Sequence, residues 1–229
     1  APSAAIDGGG LTHAGRVRDA NEDAILTDPS GALWAVADGM GGYGHGALAA
    51  DIVITALSRV PHGAPPARLV TALQAANTEI RRRAAGGFGQ MGATVVAALI
   101  EGGAATIAWV GDSRAYRLSA GRFERLTHDH SVVQELIDRG ALDPAAAETD
   151  ARAHIVTRAV GADDRLDVAL AATALAASDA LLLCSDGLVR CLSDAEIAAI
   201  LAAEAAPGAA CAALVEAALA RGAPDNVSV

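Results

Sequence analysis

The sequence predicts an α+β fold in which antiparallel β-sheet is covered by helices. Two β-prone runs, 93–100 and 104–110, are joined by Glu101-Gly102-Gly103, which is typical of a β-hairpin. A second antiparallel pair is predicted on either side of Ser119-Ala120-Gly121. Two helical segments stand before the first hairpin. Hairpins interleaved with helix pairs favour antiparallel sheet over a doubly wound parallel sheet.

The other elements follow from periodicity, capping and turn residues along the chain. A short apolar strand, Leu33–Ala37, is expected to run into a turn at Asp38–Gly42. Helices are predicted over Gly46–Arg59, from Pro66 to Arg83, over Ser131–Arg139, from Ser193 to about Ala203 and over Ala209–Arg221. Ser193 and Glu196 form a capping-box pattern. Buried strands are predicted at Ala180–Cys184 and from Asp225 to Val229.

Length and composition indicate one domain over residues 1–229, with a mobile insertion, or flap, at about 131–161. The chain has 229 residues, of which 52% are apolar, enough for a substantial core. No apolar run approaches the roughly 20 residues that cross a bilayer, and no signal peptide is visible. Three cysteines without C-x-x-C spacing indicate buried thiols in a reducing compartment. The chain is expected to be cytoplasmic, or the cytoplasmic domain of something longer, and a monomer.

The charged residues exclude several functions. A net charge of −10 argues against a nucleic-acid partner, which would require a basic face. All 17 basic residues are arginine. The absence of lysine excludes a Walker-type phosphate lysine, a Schiff-base lysine and a lysine general base.

Two short motifs are weak evidence. Gly39–Gly44 matches the dinucleotide pattern G-x-G-x-x-G, but the acid expected about 20 residues later is absent. The same pattern recurs at Gly87–Gly92 before a strand, where it has no such meaning. His128-Asp129-His130 could offer metal ligands, although a structural or substrate-edge role is favoured.

The strongest signal is a set of acids placed where strands meet turns: Asp38, Asp112, Asp186 and Asp225. Neighbouring glycines let the backbone bend tightly, so that these carboxylates could converge. Converging carboxylates repel one another unless cations lie between them. Oxygen ligands favour Mg²⁺ or Mn²⁺, and two such ions could activate a water for attack on phosphorus.

A further segment, Arg18-x-x-Asn21-Glu22-Asp23, belongs with these acids. Its guanidinium could bind a phosphate group with two hydrogen bonds, beside two more carboxylates. A surface Arg–Glu pair is the simpler interpretation of this segment taken alone.

Together and in this order, the motifs resemble the protein phosphatase 2C (PPM) family of metal-dependent serine/threonine phosphatases. The matching motifs span nearly the whole chain: Arg18-x-x-Asn21-Glu22-Asp23, Asp38-Gly39-Met40-Gly41-Gly42, Gly92-Ala93-Thr94, Gly111-Asp112-Ser113-Arg114, His128-Asp129-His130-Ser131, Ser185-Asp186-Gly187-Leu188 and Asp225-Asn226. The Met-Gly-Gly form after Asp38 is similar to the bacterial branch.

The resemblance implies a four-layer αββα fold, a central antiparallel β-sandwich flanked by helix pairs. It also implies roles by position. Asp38 would bridge two Mn²⁺ or Mg²⁺ ions, and the Gly39 carbonyl would bind one of them. Asp186 and Asp225 would complete the coordination of the other ion. Asp112 with Asp186 would form a third, weaker metal site. Glu22 and Asp23 would orient metal-bound waters, and Arg18 would hold the substrate phosphate.

The implied activity is hydrolysis of phosphoserine and phosphothreonine by a metal-bridging hydroxide, without a covalent intermediate. The partners would be phosphoproteins made by a cognate Ser/Thr kinase. Two departures from the family pattern matter. Met40 replaces a histidine that is a candidate general acid in some members, so no general acid is assigned. Arg190 stands where members often carry Asp or Asn, and is expected to weaken the third site without touching the first two.

Two other functions remain open. A pseudophosphatase would bind phosphoproteins without turnover, although Asp38, Asp186 and Asp225 are all present. A two-metal nuclease or phosphodiesterase conflicts with the acidic charge balance.

Overall fold

The computed structural model of the protein describes residues 6–28, 30–42 and 45–229. The first residues of the predicted domain and Gly44 of the Gly39–Gly44 pattern lie outside these ranges. The strands are Thr12–His13 (β1), Asp23–Thr27 (β2), Leu33–Gly41 (β3), Met91–Glu101 (β4), Ala104–Val110 (β5), Arg114–Ser119 (β6), Arg122–Arg125 (β7), Ala169–Ala174 (β8), Ala180–Cys184 (β9) and Val227–Ser228 (β10). The α-helices are His45–Ser58 (α1), Ala67–Arg83 (α2), Val132–Asp138 (α3), Asp186–Val189 (α4), Asp194–Ala203 (α5) and Pro207–Ala220 (α6).

The described strands form two antiparallel sheets and a small β1–β10 pair. The larger sheet has the order β2-β3-β4-β5-β8, and the smaller has the order β7-β6-β9. One apolar cluster packs α1 and α2 against the larger sheet, and a second packs α4, α5 and α6 against the smaller one. A third cluster, including Val96, Trp109 and Leu183, lies between the two sheets. This layering confirms the predicted α+β sandwich.

Most predicted elements are confirmed, but the predicted turn at Asp38 is wrong. β3 continues to Gly41 because Asp38 pairs with Asp23 of β2 on one side and with Thr94 of β4 on the other. Asp38 is therefore held by the ladder on both sides. The strands β1, β2 and β8 were not predicted.

The segment predicted as a flap is tied to the rest of the fold at both ends. Ser131 caps α3, and a 3₁₀ helix follows at Pro144–Thr149. Backbone bridges join Ser131 to Val156 and Ala93 to Val160. Its mobility stays a prediction.

The His128-Asp129-His130 motif lies in a loop rather than on a strand, and its contacts are structural. Buried Asp129 accepts hydrogen bonds from Arg114, with its Oδ2 2.6 Å from Nη2. The His128 Nε2 lies 2.8 Å from Asp138 Oδ2, and the His130 Nδ1 accepts from the Gly111 amide at 3.1 Å. These bonds support the structural interpretation over metal binding.

The three cysteines are free thiols, Cys184 and Cys211 buried and Cys191 half-buried. Burial raises the pKa of Cys184 to about 12, so this thiol stays protonated at neutral pH. None of the helices in the described part of the chain combines the length and the apolar character that a membrane span requires.

Candidate active site

Five of the six predicted acids line one open cleft of about 900 Å³ at one edge of the sandwich. β3 supplies Asp38, the turn after β5 supplies Asp112, and the start of α4 supplies Asp186. Asp225 precedes β10, and Glu22 precedes β2. The residues that line the cleft are Val17, Arg18, Asp19, Ala20, Glu22, Asp38, Gly39, Met40, Gly41, Thr94, Asp112, His154, Val156, Asp186, Arg190, Pro224, Asp225 and Asn226.

The floor of the cleft depends on close backbone contacts around Gly39. The Gly39 amide donates to the Glu22 carbonyl at 3.1 Å. A Cβ at Gly39 would lie 2.1 Å from the Gly46 carbonyl oxygen, so only glycine lets the start of α1 approach β3 this closely. This packing brings Glu22 and Asp38 to the same side of the sheet edge.

Asn226 fixes the segment that carries Arg18 and Glu22. Its Oδ1 accepts from the Glu22 amide at 2.8 Å, and its Nδ2 donates to the carbonyls of Ala14 and Ala20 at 2.9 Å. The sequence motif Asp225-Asn226 included this residue but assigned it no role. Through these three hydrogen bonds, the buried amide of Asn226 joins the segment before β10 to the segment before β2.

Asp23 lies beneath the cleft, directly opposite Asp38 across the β2–β3 ladder. Its Oδ2 accepts from Ser185 Oγ at 2.9 Å and from Ser228 Oγ at 2.6 Å. Burial nevertheless raises the pKa of Asp23 to about 6, against the lowering effect of these two hydroxyls. Two carboxylates opposite each other on neighbouring strands repel unless a proton or a cation intervenes.

Burial also raises the pKa of three acids that line the cleft, Asp38, Asp112 and Asp186. Burial, together with the charges of Asp23, Asp186 and Asp112, raises the pKa of Asp38 well above its ordinary value. Burial and the charge of Asp186 raise the pKa of Asp112 to about 7. Burial also raises the pKa of Asp186, although Arg190 opposes the shift. The cleft therefore has a strong preference for added positive charge.

Two arginines supply part of that charge. Arg18 binds Asp225 with two hydrogen bonds, Nε to Oδ1 at 2.9 Å and Nη2 to Oδ2 at 2.8 Å. The Arg190 Nη2 lies 2.5 Å from Asp186 Oδ2, and its Nη1 lies 3.5 Å from Asp225 Oδ2. Arg190 thus contacts two of the acids predicted to hold the first two ions, whereas the sequence indicated an effect at the third site alone; its effect on each metal site stays a prediction.

The chemistry of the acids fits hard divalent cations. Asp23 Oδ1 and Asp186 Oδ1 are buried and accept no hydrogen bond from any described residue. Buried carboxylate oxygens without partners are costly, and an oxygen-only set suits Mg²⁺ or Mn²⁺. In the described residues, however, no three His, Cys, Asp or Glu side chains are already gathered as the ligands of one ion. Asp186 and Asp225 are instead paired with Arg190 and Arg18.

We expect the metal-stripped protein to lose stability as the pH rises from about 5 to about 7, an interval in which acids with lowered pKa, such as Glu79 and Glu196, are largely ionised in both the folded and the unfolded chain. Raised pKa values mean that the folded chain holds protons which the unfolded chain has released in that interval. His130 opposes the trend, since burial lowers its pKa to about 4. This one histidine opposes four acids with a raised pKa, namely Asp23, Asp38, Asp112 and Asp186. The melting temperature in EDTA should therefore be higher at pH 5 than at pH 7.5.

The Asp112→Asn variant tests the origin of this pH dependence. It should raise the melting temperature at pH 7.5 by about 4–8 °C, equivalent to about 2 kcal/mol, and flatten the pH dependence. Asp179→Asn is the control, because Asp179 is a half-buried acid outside the cleft whose pKa is lowered rather than raised. An unchanged pH dependence in Asp112→Asn would contradict the assignment.

The structure places most predicted site residues together and adds others. Arg18, Glu22, Asp38, Gly39, Asp112, Asp186 and Asp225 line the cleft, whereas Asp23 lies behind Asp38. Met40 also lines it, in the position where a histidine was considered. Sequence reasoning missed His154 and Val156, which reach the cleft from the flap segment. No motif marks them, because their position depends on how the flap folds back.

Comparison with known proteins gives consistent relatives. The model of the family described as Protein phosphatase 2C matches residues 12–219. The serine/threonine protein phosphatase PstP of Mycobacterium tuberculosis is 36% identical over 225 residues, which cover 94% of this chain and 42% of PstP. The serine/threonine phosphatase stp of Listeria innocua is 35% identical over 205 residues, covering 83% of this chain and 81% of that protein. The chain thus spans less than half the length of PstP.

Solved structures agree with the fold. PppA of Pseudomonas aeruginosa, described as a key regulatory component of T6SS, superposes with a TM-score of 0.88 at 40% identity, covering 96% of this chain and 94% of PppA. The PstP catalytic domain in complex with two manganese ions superposes with a TM-score of 0.88 at 33% identity, with the same coverages. With the matched family model and the acidic cleft, these relatives show that the chain belongs to the protein phosphatase 2C family.

Proposed function

We propose that this chain is a metal-dependent phosphatase that hydrolyses phosphoserine and phosphothreonine in proteins. One observation carries the proposal: the six predicted acids lie in or directly behind one cleft with arginine beside them, and the buried Oδ1 atoms of Asp23 and Asp186 accept no hydrogen bond from any described residue. The names of the bacterial relatives, serine/threonine phosphatases from Mycobacterium and Listeria, support the reaction class.

Asp38, the Gly39 carbonyl, Asp186 and Asp225 would hold two Mn²⁺ or Mg²⁺ ions, and Asp112 with Asp186 a third. When bound, such ions supply an activated water for direct attack on phosphorus and stabilise the negative charge of the transition state. Asp23, supported by Ser185 and Ser228, and Glu22, supported through its amide by Asn226, would orient water in the cleft. The described residues that line the cleft include no cysteine, so the proposed hydrolysis involves no phosphocysteine intermediate.

Arg18 would bind the substrate phosphate. Its guanidinium is 57% exposed at the mouth of the cleft, so it can exchange the Asp225 carboxylate for a phosphate when cations take over Asp225. Met40 has no proton to donate, so the leaving seryl or threonyl oxygen takes its proton from another group or from water. The phosphoprotein products of a Ser/Thr kinase are the proposed substrates.

The first test is metal-dependent turnover. Metal-stripped protein should hydrolyse p-nitrophenyl phosphate only when Mn²⁺ or Mg²⁺ is added, and EDTA should abolish the activity. Full activity in metal-free buffer would overturn the mechanism. Calorimetry that detects Mn²⁺ binding without turnover of any phosphopeptide would instead support the alternative, a pseudophosphatase.

The same assay separates monoesters from diesters. We expect bis-p-nitrophenyl phosphate to be a poor substrate compared with p-nitrophenyl phosphate. Faster cleavage of the diester would favour a two-metal phosphodiesterase. A Ser/Thr kinase encoded beside this protein would supply the phosphoprotein for the final test.

Replacing Arg18 by alanine should raise the KM for a phosphopeptide about ten-fold or more, because a charge-assisted bidentate contact with phosphate is lost. Arg18→Lys should recover only part of the loss, since an ammonium group cannot form the fork. Steady-state kinetics and the inhibition constant of inorganic phosphate measure the effect.

Arg16→Ala is the control, because Arg16 donates to the Leu219 carbonyl and does not line the cleft. Equal KM values for Arg18→Ala and Arg16→Ala would show that Arg18 does not bind the substrate phosphate.

A further inference from the structure

Arg190 lies beside two of the acids proposed to bind metal, Asp186 and Asp225. It ends the short helix α4, and its amide donates to the Asp186 carbonyl at 2.9 Å. One turn of helix thus separates the two side chains, and the guanidinium folds back onto Asp186 Oδ2 at 2.5 Å. The other guanidinium nitrogen reaches Asp225 Oδ2 at 3.5 Å.

These contacts put a fixed positive charge where added cations would bind. Arg190 and Arg18 share Asp225 Oδ2, and Arg190 takes one oxygen of Asp186. The other Asp186 oxygen is buried and accepts no hydrogen bond from any described residue. A divalent ion can therefore approach Asp186 Oδ1, but full coordination requires Arg190 to weaken or give up its contacts.

We propose that Arg190 is a resident competing cation that sets the affinity of the cleft for divalent ions. When divalent ions are scarce, Arg190 stabilises the charged carboxylates of Asp186 and Asp225. When an ion binds, it must disrupt these contacts, and their free energy is subtracted from the free energy of ion binding. The inference rests on the proposed function, since it assumes that these acids take divalent ions. It adds that the chain's own residue raises the ion concentration needed to fill the cleft.

The test is direct titration of metal-stripped protein with MnCl₂ by isothermal calorimetry, which does not depend on turnover. Arg190→Met and Arg190→Gln should bind Mn²⁺ about ten-fold more tightly than the wild type, the size expected when one opposing charge contact is removed. Arg190→Lys should lie between them and the wild type, because it keeps the charge without the fork.

The same variants should show the cost of losing Arg190 in the absence of ions. In EDTA at pH 7.5, the melting temperature of Arg190→Met should fall by about 5 °C, since the acids lose a counter-charge. Added Mn²⁺ should then raise it by more than it raises the wild type. Arg190→Lys keeps the positive charge and should melt closer to the wild type, whereas a general folding defect at this position would lower the melting temperature of both variants.

Arg81→Met is the matched control. Arg81 is 35% exposed, against 33% for Arg190, and pairs with a single acid, Asp164, outside the cleft. Its loss should leave Mn²⁺ affinity unchanged. Equal or weaker Mn²⁺ binding by Arg190→Met and Arg190→Gln would overturn the role of Arg190. Absence of Mn²⁺ binding by the wild type and every variant would instead overturn the proposed function.

Discussion

Replacing Asp38 by asparagine is expected to lower Mn²⁺-dependent hydrolysis of p-nitrophenyl phosphate by roughly 10³-fold, because a charged group at the centre of the site is lost. Asn has nearly the same size, so it can keep the backbone pairing of β3 with β2 and β4. What it removes is the carboxylate that Asp23, Asp112 and Asp186 surround. Asp38→Ala should lose as much activity.

Stability separates this loss from misfolding. In EDTA, Asp38→Asn should melt at a higher temperature than the wild type at pH 7.5, because asparagine avoids the free-energy cost of burying an acid whose pKa is raised well above its ordinary value. With saturating Mn²⁺ the order should reverse, since the wild type gains more from the ions. Asp51→Asn is the control, an exposed acid on α1 away from the cleft. Substantial Mn²⁺-dependent activity in Asp38→Asn would refute its central role.

The acids could be predicted because their signals are local. Glycine beside Asp38, Asp112 and Asp186 marks places where the backbone bends or packs closely, and a Cβ at Gly39 or Gly111 would indeed collide with neighbouring atoms. Such signals stand in the sequence next to the residues they concern. Their order along the chain then indicated the family.

The position of Asp23 could not be predicted in the same way. β2 carries the sequence DAILT, too short and too weakly alternating to identify as a strand. Its register on β3, which sets Asp23 opposite Asp38, depends on tertiary packing. β8 was missed for a related reason: its alanines have little β propensity, and pairing with β5 decides their conformation.

Arg190 shows the limit of reasoning from motif positions. Its spacing of four residues from Asp186 indicated proximity to one acid, and the structure confirms it. The contact with Asp225 forms because the segment that leads into β10 packs beside α4. No local sequence pattern predicts this packing. This long-range contact is the reason for proposing that Arg190 affects the first two metal sites as well as the third.

Replacing Gly187 by alanine should destabilise the protein by about 3 kcal/mol and lower the melting temperature by about 6–12 °C. A Cβ at this position would lie 1.9 Å from the Asn226 carbonyl oxygen, a backbone atom. Asn226 cannot move aside easily, because its side chain holds Glu22, Ala14 and Ala20 through three hydrogen bonds. Relief of the clash must shift α4, which carries Asp186, away from Asp225.

Activity should therefore fall together with Mn²⁺ affinity in Gly187→Ala, even at temperatures where the variant is folded by circular dichroism. Gly208→Ala is the matched control: Gly208 is also near a helix start, in α6, but a Cβ there meets nothing within 4 Å. It should stabilise the protein by about 0.5 kcal/mol, since alanine loses less backbone entropy than glycine on folding. If Gly187→Ala melted at the wild-type temperature with unchanged Mn²⁺ affinity, the close packing of α4 on Asn226 would not determine the geometry of the cleft.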